Sequence, residues 1–156
     1  MNTEQCLEQG LLAKSKPDQE KAKSSIEMAQ HKLELAEAEF GHKLFESATI
    51  SAYASMFHSG RALLFRDGFK ERSHFAVHVY ISEKYGGKIE RKYLNELNSL
   101  RLQRHGLMYG LEMNNEVQES DADTTIKTAE GFLQAIRKIL QETFEKKFHQ
   151  KKSGNA

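Results

Sequence analysis

Proline occurs once in 156 residues, at position 17, and no Val/Ile/Thr-rich stretch alternates with polar residues between turn signals. A chain so poor in helix breakers and in period-two patterning is expected to build its core from helices rather than a sheet. Apolar residues recurring at three and four mark five helices. The first is capped by Ser15, with Pro17 in its first turn, and runs to about Phe40 on a stripe of Ile26, Leu33, Ala36 and Phe40. The second runs from about Lys43 to Arg66 and stops at Asp67-Gly68, a left-handed cap. Its middle, SAYASMFHSGRALLF, is apolar on most sides and reads as the most buried element.

Ser73 caps a third helix that ends at Tyr85 before Gly86-Gly87. A fourth spans about Glu90 to Met113, followed by the polar Asn114-Asn115. The fifth is capped by Asp121 or Asp123 and reaches about Lys147 on Ile126, Ala129, Leu133, Ile136 and Leu140. Short links between long helices favour antiparallel neighbours, so the expected fold is all-α, an up-and-down antiparallel bundle of about five helices. Residues 1–16 read as a weak N-terminal extension, 17–147 as the bundle and 148–156 as a flexible polar tail.

A chain of this length fits one domain that buries about two-thirds of the surface its unfolded form exposes. Lys and Arg number 23 against 22 Asp and Glu, a net charge of +1. Nucleic acid binding therefore needs a local patch, not a global field. The single cysteine, Cys6, lies near a terminus expected to fray, and it excludes an intramolecular disulfide and any multi-cysteine metal site. No apolar run approaches the roughly 18 residues of a membrane span, and the N-terminus lacks the basic-then-apolar order of a signal peptide. The expectation is a soluble, cytoplasmic protein with no membrane association.

The pattern breaks in the fourth helix. Its seam runs Tyr93, Leu97, Leu100, Arg104, Leu107, Leu111, so an arginine holds an apolar slot. Burying an unpaired guanidinium costs several kcal/mol, so Arg104 must find partners or line a wet cleft. Beside the seam lies a polar row of Asn98, Arg101, His105, Tyr109 and Glu112, also spaced at three and four. Forked donors on Arg101 or Arg104 suit a phosphate, and His105 or Tyr109 can transfer a proton or donate a hydrogen bond. The alternative is structural: Arg104 snorkels past the core or pairs with a carboxylate such as Glu46 or Glu130. Gly106 and Gly110 each cost about 1 kcal/mol against alanine in a helix, which suggests a close neighbour, a ligand or a bend. On the second helix His58 and Arg61 can line a cleft with the fourth, or simply pack. His74 and His78 have the i, i+4 spacing of a two-histidine metal site, but no third ligand is suggested and none is assigned.

Four segments together resemble the HEPN superfamily over residues 26 to 140: SAYASMFHSGRALLFRDG, FKERSHFAVHVYISEKYG, RLQRHGLMYGLE and AEGFLQAIRKIL. The resemblance implies a helical bundle that dimerises with the arginine motifs of two chains facing one cleft. Many members are metal-independent endoribonucleases acting as toxins, often beside a small nucleotidyltransferase antitoxin; others only bind RNA or nucleotides or serve as scaffolds. The nuclease pattern is Arg, four to six residues, then His. Here Arg104 is followed after four residues by Tyr109, which is similar to the branch written Arg-x-x-Ala-Asp-Tyr, with Leu107 and Met108 in place of Ala and Asp.

The resemblance thus carries over Arg104 and Tyr109 as catalytic residues, with His105 as their neighbour in that role, and the polar row and the second helix add Asn98, Arg101, His58 and Arg61 as the expected RNA- or nucleotide-binding residues. No metal and no cofactor is expected. The competing expectation is a catalytically inactive helical dimerisation or interaction module.

Overall fold

The computed structural model describes residues 1–109 and 116–153. Six helices and one two-stranded ladder follow in the order α1 (Thr3–Glu8), β1 (Leu12–Lys14), α2 (Gln19–Gly41), α3 (Phe45–Asp67), β2 (Phe69–Glu71), α4 (His74–Tyr85), α5 (Arg91–Tyr109) and α6 (Glu119–Ser153). The architecture is the all-α bundle expected, with the long helices where the periodicity placed them. Several boundaries differ. Asp18, not Ser15, caps α2, its carboxylate accepting from the Lys21 N–H at 3.0 Å. The last helix opens at Glu119, two residues before Asp121, and continues to Ser153, past the expected stop near Lys147. The expected features at Gly110, Leu111, Glu112, Met113 and Asn114-Asn115 lie outside the described residues.

Helix α3 is the hub, packing on α2, α4, α5 and α6. Met56, Leu63 and Leu64 are fully buried, against Ile81 of α4, Leu97 and Leu100 of α5, and Phe132, Leu133 and Ile136 of α6. Burying each such side chain stabilises the fold by about 2 kcal/mol. Small residues let the helices close up. A Cβ on Gly60 would stand 2.8 Å from Val77 Cγ1, and one on Gly131 would stand 2.7 Å from Tyr93 Cζ, so glycine sets the α3–α4 and α5–α6 approaches. The Ser55 hydroxyl, buried between α3 and α2, donates to the Ala29 carbonyl at 2.8 Å and so satisfies its polar atom.

The link from α2 to α3 takes three residues, with Lys43 at φ 59° supplying the left-handed turn beyond Gly41. Gly68 caps α3 in the left-handed region at φ 88°, as its sequence position suggested. Ser15 and Pro17 lie against it: the Ser15 N–H donates to the Gly68 carbonyl at 2.8 Å.

The N-terminal segment departs most from expectation. Leu12–Lys14 pairs antiparallel with Phe69–Glu71, Leu12 opposite Glu71 and Lys14 opposite Phe69, although no sheet was foreseen. Three-residue strands are too short to show alternation, so only the tertiary pairing reveals them. Asn2 and Gln5 form a capping box on α1, and the Thr3 N–H and hydroxyl both donate to Glu83 of α4 at 2.6 Å. Cys6, expected near a frayed end, is fully buried in the main core, and burial pushes its thiol pKa up.

Candidate functional site

Three elements converge at the N-terminal end of α4. Ser73 caps that helix by accepting from the Ala76 N–H at 3.2 Å, which fixes His74 as its first residue. Tyr53 and Phe57, one turn apart on α3, meet it there: Tyr53 Oη lies 2.8 Å from His74 Nδ1, and the Phe57 ring stacks on the imidazole at 4.0 Å and 7°. From α5 the Arg104 guanidinium stands 5.5 Å from the Tyr53 ring centre. One turn earlier Arg101 lies 5.1 Å from the Phe75 ring. Arg101 also donates from Nε and Nη2 to the Asn98 amide oxygen, at 3.3 and 3.1 Å. Among the described residues no carboxylate pairs with Arg101, so an amide orients its fork while its charge stays available to an anion.

The seam that placed Arg104 among leucines is thus explained. Leu97 and Leu100 are buried, and the next turn directs a half-buried guanidinium onto the face of a buried tyrosine, a cation–π contact.

Charge shapes the cluster. His74 is pushed down to about 4, first by burial and then by the guanidinium groups of Arg104, Arg101 and Arg61. Burial raises Tyr53 to about 12 against the opposing pull of Arg104 and Arg101. At neutral pH the pair is therefore a phenol and a neutral imidazole, beside fixed positive charge. His78, one turn further along α4, is lowered by burial and by Arg101. The cluster disfavours further positive charge and suits an anion.

The expected site residues separate into three groups. Asn98, Arg101 and Arg104 join the cluster. His105 and Tyr109 continue the polar row towards the C-terminal end of α5, where both side chains are exposed and their rings lie 5.2 Å apart. His58 and Arg61 sit on α3 beyond Phe57, facing an open groove towards α2. Stacked rings link them to the cluster: Arg61 lies 5.5 Å from Phe57, which stacks on His74, which bonds Tyr53. Arg61 is also ion-paired with Glu71 at 2.8 Å.

Its own helix turn apart, none of the described residues comes within 4 Å of where a Cβ on Gly106 would stand, so no close approach among them explains it. His74 and His78 gain no third metal-ligating neighbour among the described residues. Tyr53 and Phe57 were not singled out from the sequence, although Tyr53, Phe57 and Arg61 stand at i, i+4 and i+8, a spacing that aligns them on one face.

Comparison with known proteins agrees with this architecture. The HEPN domain profile matches residues 22–139, a span from α2 through most of α6. A curated protein of Methanocaldococcus jannaschii, named "Putative toxin MJ0605", is 29% identical over 138 residues, which cover 82% of this chain and 95% of that protein. Among the described residues no helix is long and apolar enough to cross a membrane.

Proposed function

The chain belongs to the HEPN domain family, and on that footing we propose that it is the toxin of a toxin–antitoxin pair, a homodimer that cleaves RNA without a metal ion. The observation that carries this reading is the convergence of Arg101 and Arg104 on the hydrogen-bonded Tyr53–His74 pair. Two guanidinium groups hold the phosphate and offset the charge that builds on it. An imidazole takes the proton of the adjacent ribose 2′-hydroxyl, whose oxygen attacks phosphorus. The 5′-oxygen of the next nucleotide leaves and takes up a proton, giving a 2′,3′-cyclic phosphate and a 5′-hydroxyl.

His74 is an imidazole on which the charges of both Arg104 and Arg101 act, and it is oriented by Tyr53, Phe57 and its place at the helix start. A bound phosphate opposes the field of the arginines and so raises its basicity. His105 and Tyr109 act from the exposed end of α5, where a second chain brings its own copy of the row. Support for self-association comes from that face: Leu102 and Tyr109 are 58% and 64% exposed, and Gly106 between them is open to close approach. The relative's name as a toxin supports an antitoxin partner, for which a nucleotidyltransferase-type protein is the proposed class.

The test is incubation of end-labelled transfer RNA and total RNA with the protein in excess chelator, comparing wild type with Arg104→Ala, His74→Ala and His105→Ala at equal folded concentration. Cleavage that survives the chelator and is lost in Arg104→Ala is the expected result. Absence of cleavage by the wild type over a wide concentration range sinks the nuclease reading and leaves an interaction module.

A further inference from the structure

Outside the arginine cluster, the described surface carries a second concentration of positive charge, in the open groove between α2 and α3. It has a volume of about 360 Å³ and is lined among others by Lys21, Ser24, His58, Arg61, Phe65 and Lys70. That size, at the low end of ligand clefts of about 300–1,000 Å³, admits one or two units of an extended chain and no folded partner. None of its lining residues is acidic.

The cations are held in place. Phe65 forms part of the floor, with the Arg61 guanidinium 5.0 Å and the Lys21 ammonium 5.8 Å from its ring centre. Lys70 comes from β2, on the strand pairing that ties the N-terminal segment to the bundle. Burial and the nearby charges of Arg61 and Lys32 push His58 down to about 4, so at neutral pH it offers a donor and an acceptor without charge.

The groove adjoins the proposed cleavage site at Phe57, which meets His58 and Arg61 of the groove on one side and stacks on His74 on the other. Arg61 lies over Phe57, Phe57 stacks on His74, His74 bonds Tyr53, and Arg104 lies over Tyr53. Within the groove Lys21 and Arg61 flank the Phe65 ring, and only the rings of Phe57 and His74 separate Arg61 from the arginine cluster. Alternating positive charge and ring faces is the chemistry that follows a single-stranded nucleic acid backbone. A duplex presents its phosphates on a convex surface and does not enter a groove sunk between two helices.

We propose that the α2–α3 groove is a second phosphate subsite, in which Lys21 and Lys70, beside an Arg61 held by Glu71, bind the backbone of single-stranded RNA leading away from the Arg101–Arg104 site. This rests on the RNA-cleaving reading above and adds to it the substrate class and the path of the strand. His58 and Ser24 contact ribose hydroxyls or base edges along that path.

The experiment is fluorescence anisotropy with a labelled single-stranded oligoribonucleotide of about 12 nucleotides, within the range such grooves cover, titrated across a salt series. The wild-type protein is compared with Lys21→Glu/Lys70→Glu and with Lys21→Ala/Lys70→Ala. Both lysines are exposed, and thermal melts check that each variant remains folded. The expected result is a loss of affinity of about tenfold or more in the charge reversal and a smaller loss with alanine. The slope of log affinity against log salt falls by about 0.7 for each phosphate contact removed. Unchanged affinity and slope in folded variants, with the wild type still binding, overturn the subsite alone. Equal competition by a duplex of the same sequence overturns the single-strand assignment. Failure of the wild type to bind or cleave any RNA overturns the nuclease reading, and the subsite with it.

Discussion

Tyr53 Oη stands 2.8 Å from Nδ1 of His74, across the junction of α3 and α4, with an arginine on the outer face of the tyrosine and a phenylalanine on the imidazole. The bond joins two groups that are both uncharged at neutral pH and lie beside fixed positive charge. It fixes a ring on which the charges of both Arg104 and Arg101 act, an imidazole oriented by the packed chain itself.

Tyr53→Phe keeps the packed ring and removes the phenol. The fold should lose about 1 kcal/mol, the usual net worth of such a hydrogen bond. If His74 performs proton transfer, cleavage should fall more than RNA binding, because the imidazole is then free to turn. Urea unfolding together with the kcat and KM of an oligonucleotide substrate separates the two effects.

Arg104 is the second cause, after burial, of the low His74 pKa. Arg104→Ala should therefore move the His74 titration upward, towards but not up to its ordinary value of 6.5, as burial remains. Saturating phosphate should shift it the same way in the wild type. Following the imidazole resonances by NMR against pH checks both. A His74 titration unmoved by either change contradicts the arrangement of charge described here.

His58 and His74 both titrate near 4 in the folded chain, against an ordinary 6.5. The unfolded chain therefore binds more protons between those values. The contribution of these two rings to stability is constant above about pH 6.5 and falls as the pH drops from there towards 4, by about 1 kcal/mol per imidazole once solvent screening of these partly exposed rings is allowed for. Urea midpoints at pH 7.5, 5.5 and 4.5 should decrease in that order, and His58→Gln/His74→Gln should flatten the trend.

Two glycines make opposite predictions. Gly60→Ala drives a methyl to 2.8 Å from Val77 Cγ1 and should cost about 1–3 kcal/mol through overpacking. Gly106→Ala meets none of the described residues outside its own helix turn, so the monomer should gain about 1 kcal/mol of helix propensity. Where the exposed face of α5 packs on a second copy, that same methyl should weaken the dimer. Sedimentation equilibrium of wild type and Gly106→Ala, with thermal melts of both, reads the two effects apart.

The long helices were legible because burial of one face imposes a repeat near 3.6 on any amphipathic helix, and Leu33, Ala36, Leu97, Leu100, Leu133 and Ile136 keep to it. Gly68 and Ser73 were legible because capping is local: each acts on the backbone within a few residues. Arg104 announced itself by taking an apolar slot. The N-terminal segment was not legible, since its stability comes from Leu12 pairing with Glu71, Thr3 bonding to Glu83 and Cys6 filling the core, all contacts distant in sequence.

The same division holds at the site. Spacing along α5 alone placed Asn98, Arg101, His105 and Tyr109 on one row, because a helix repeats its own geometry. Which of them would meet other chemistry depended on how α3 and α4 pack, at an approach to Val77 that Gly60 permits. Only the tertiary structure brought Tyr53 and His74 to Arg104 and left His105 and Tyr109 exposed. It also set His58 and Arg61 along the groove towards α2. Periodicity reports which face of a helix is buried, whereas the identity of the neighbour across that face is a property of the whole packed chain.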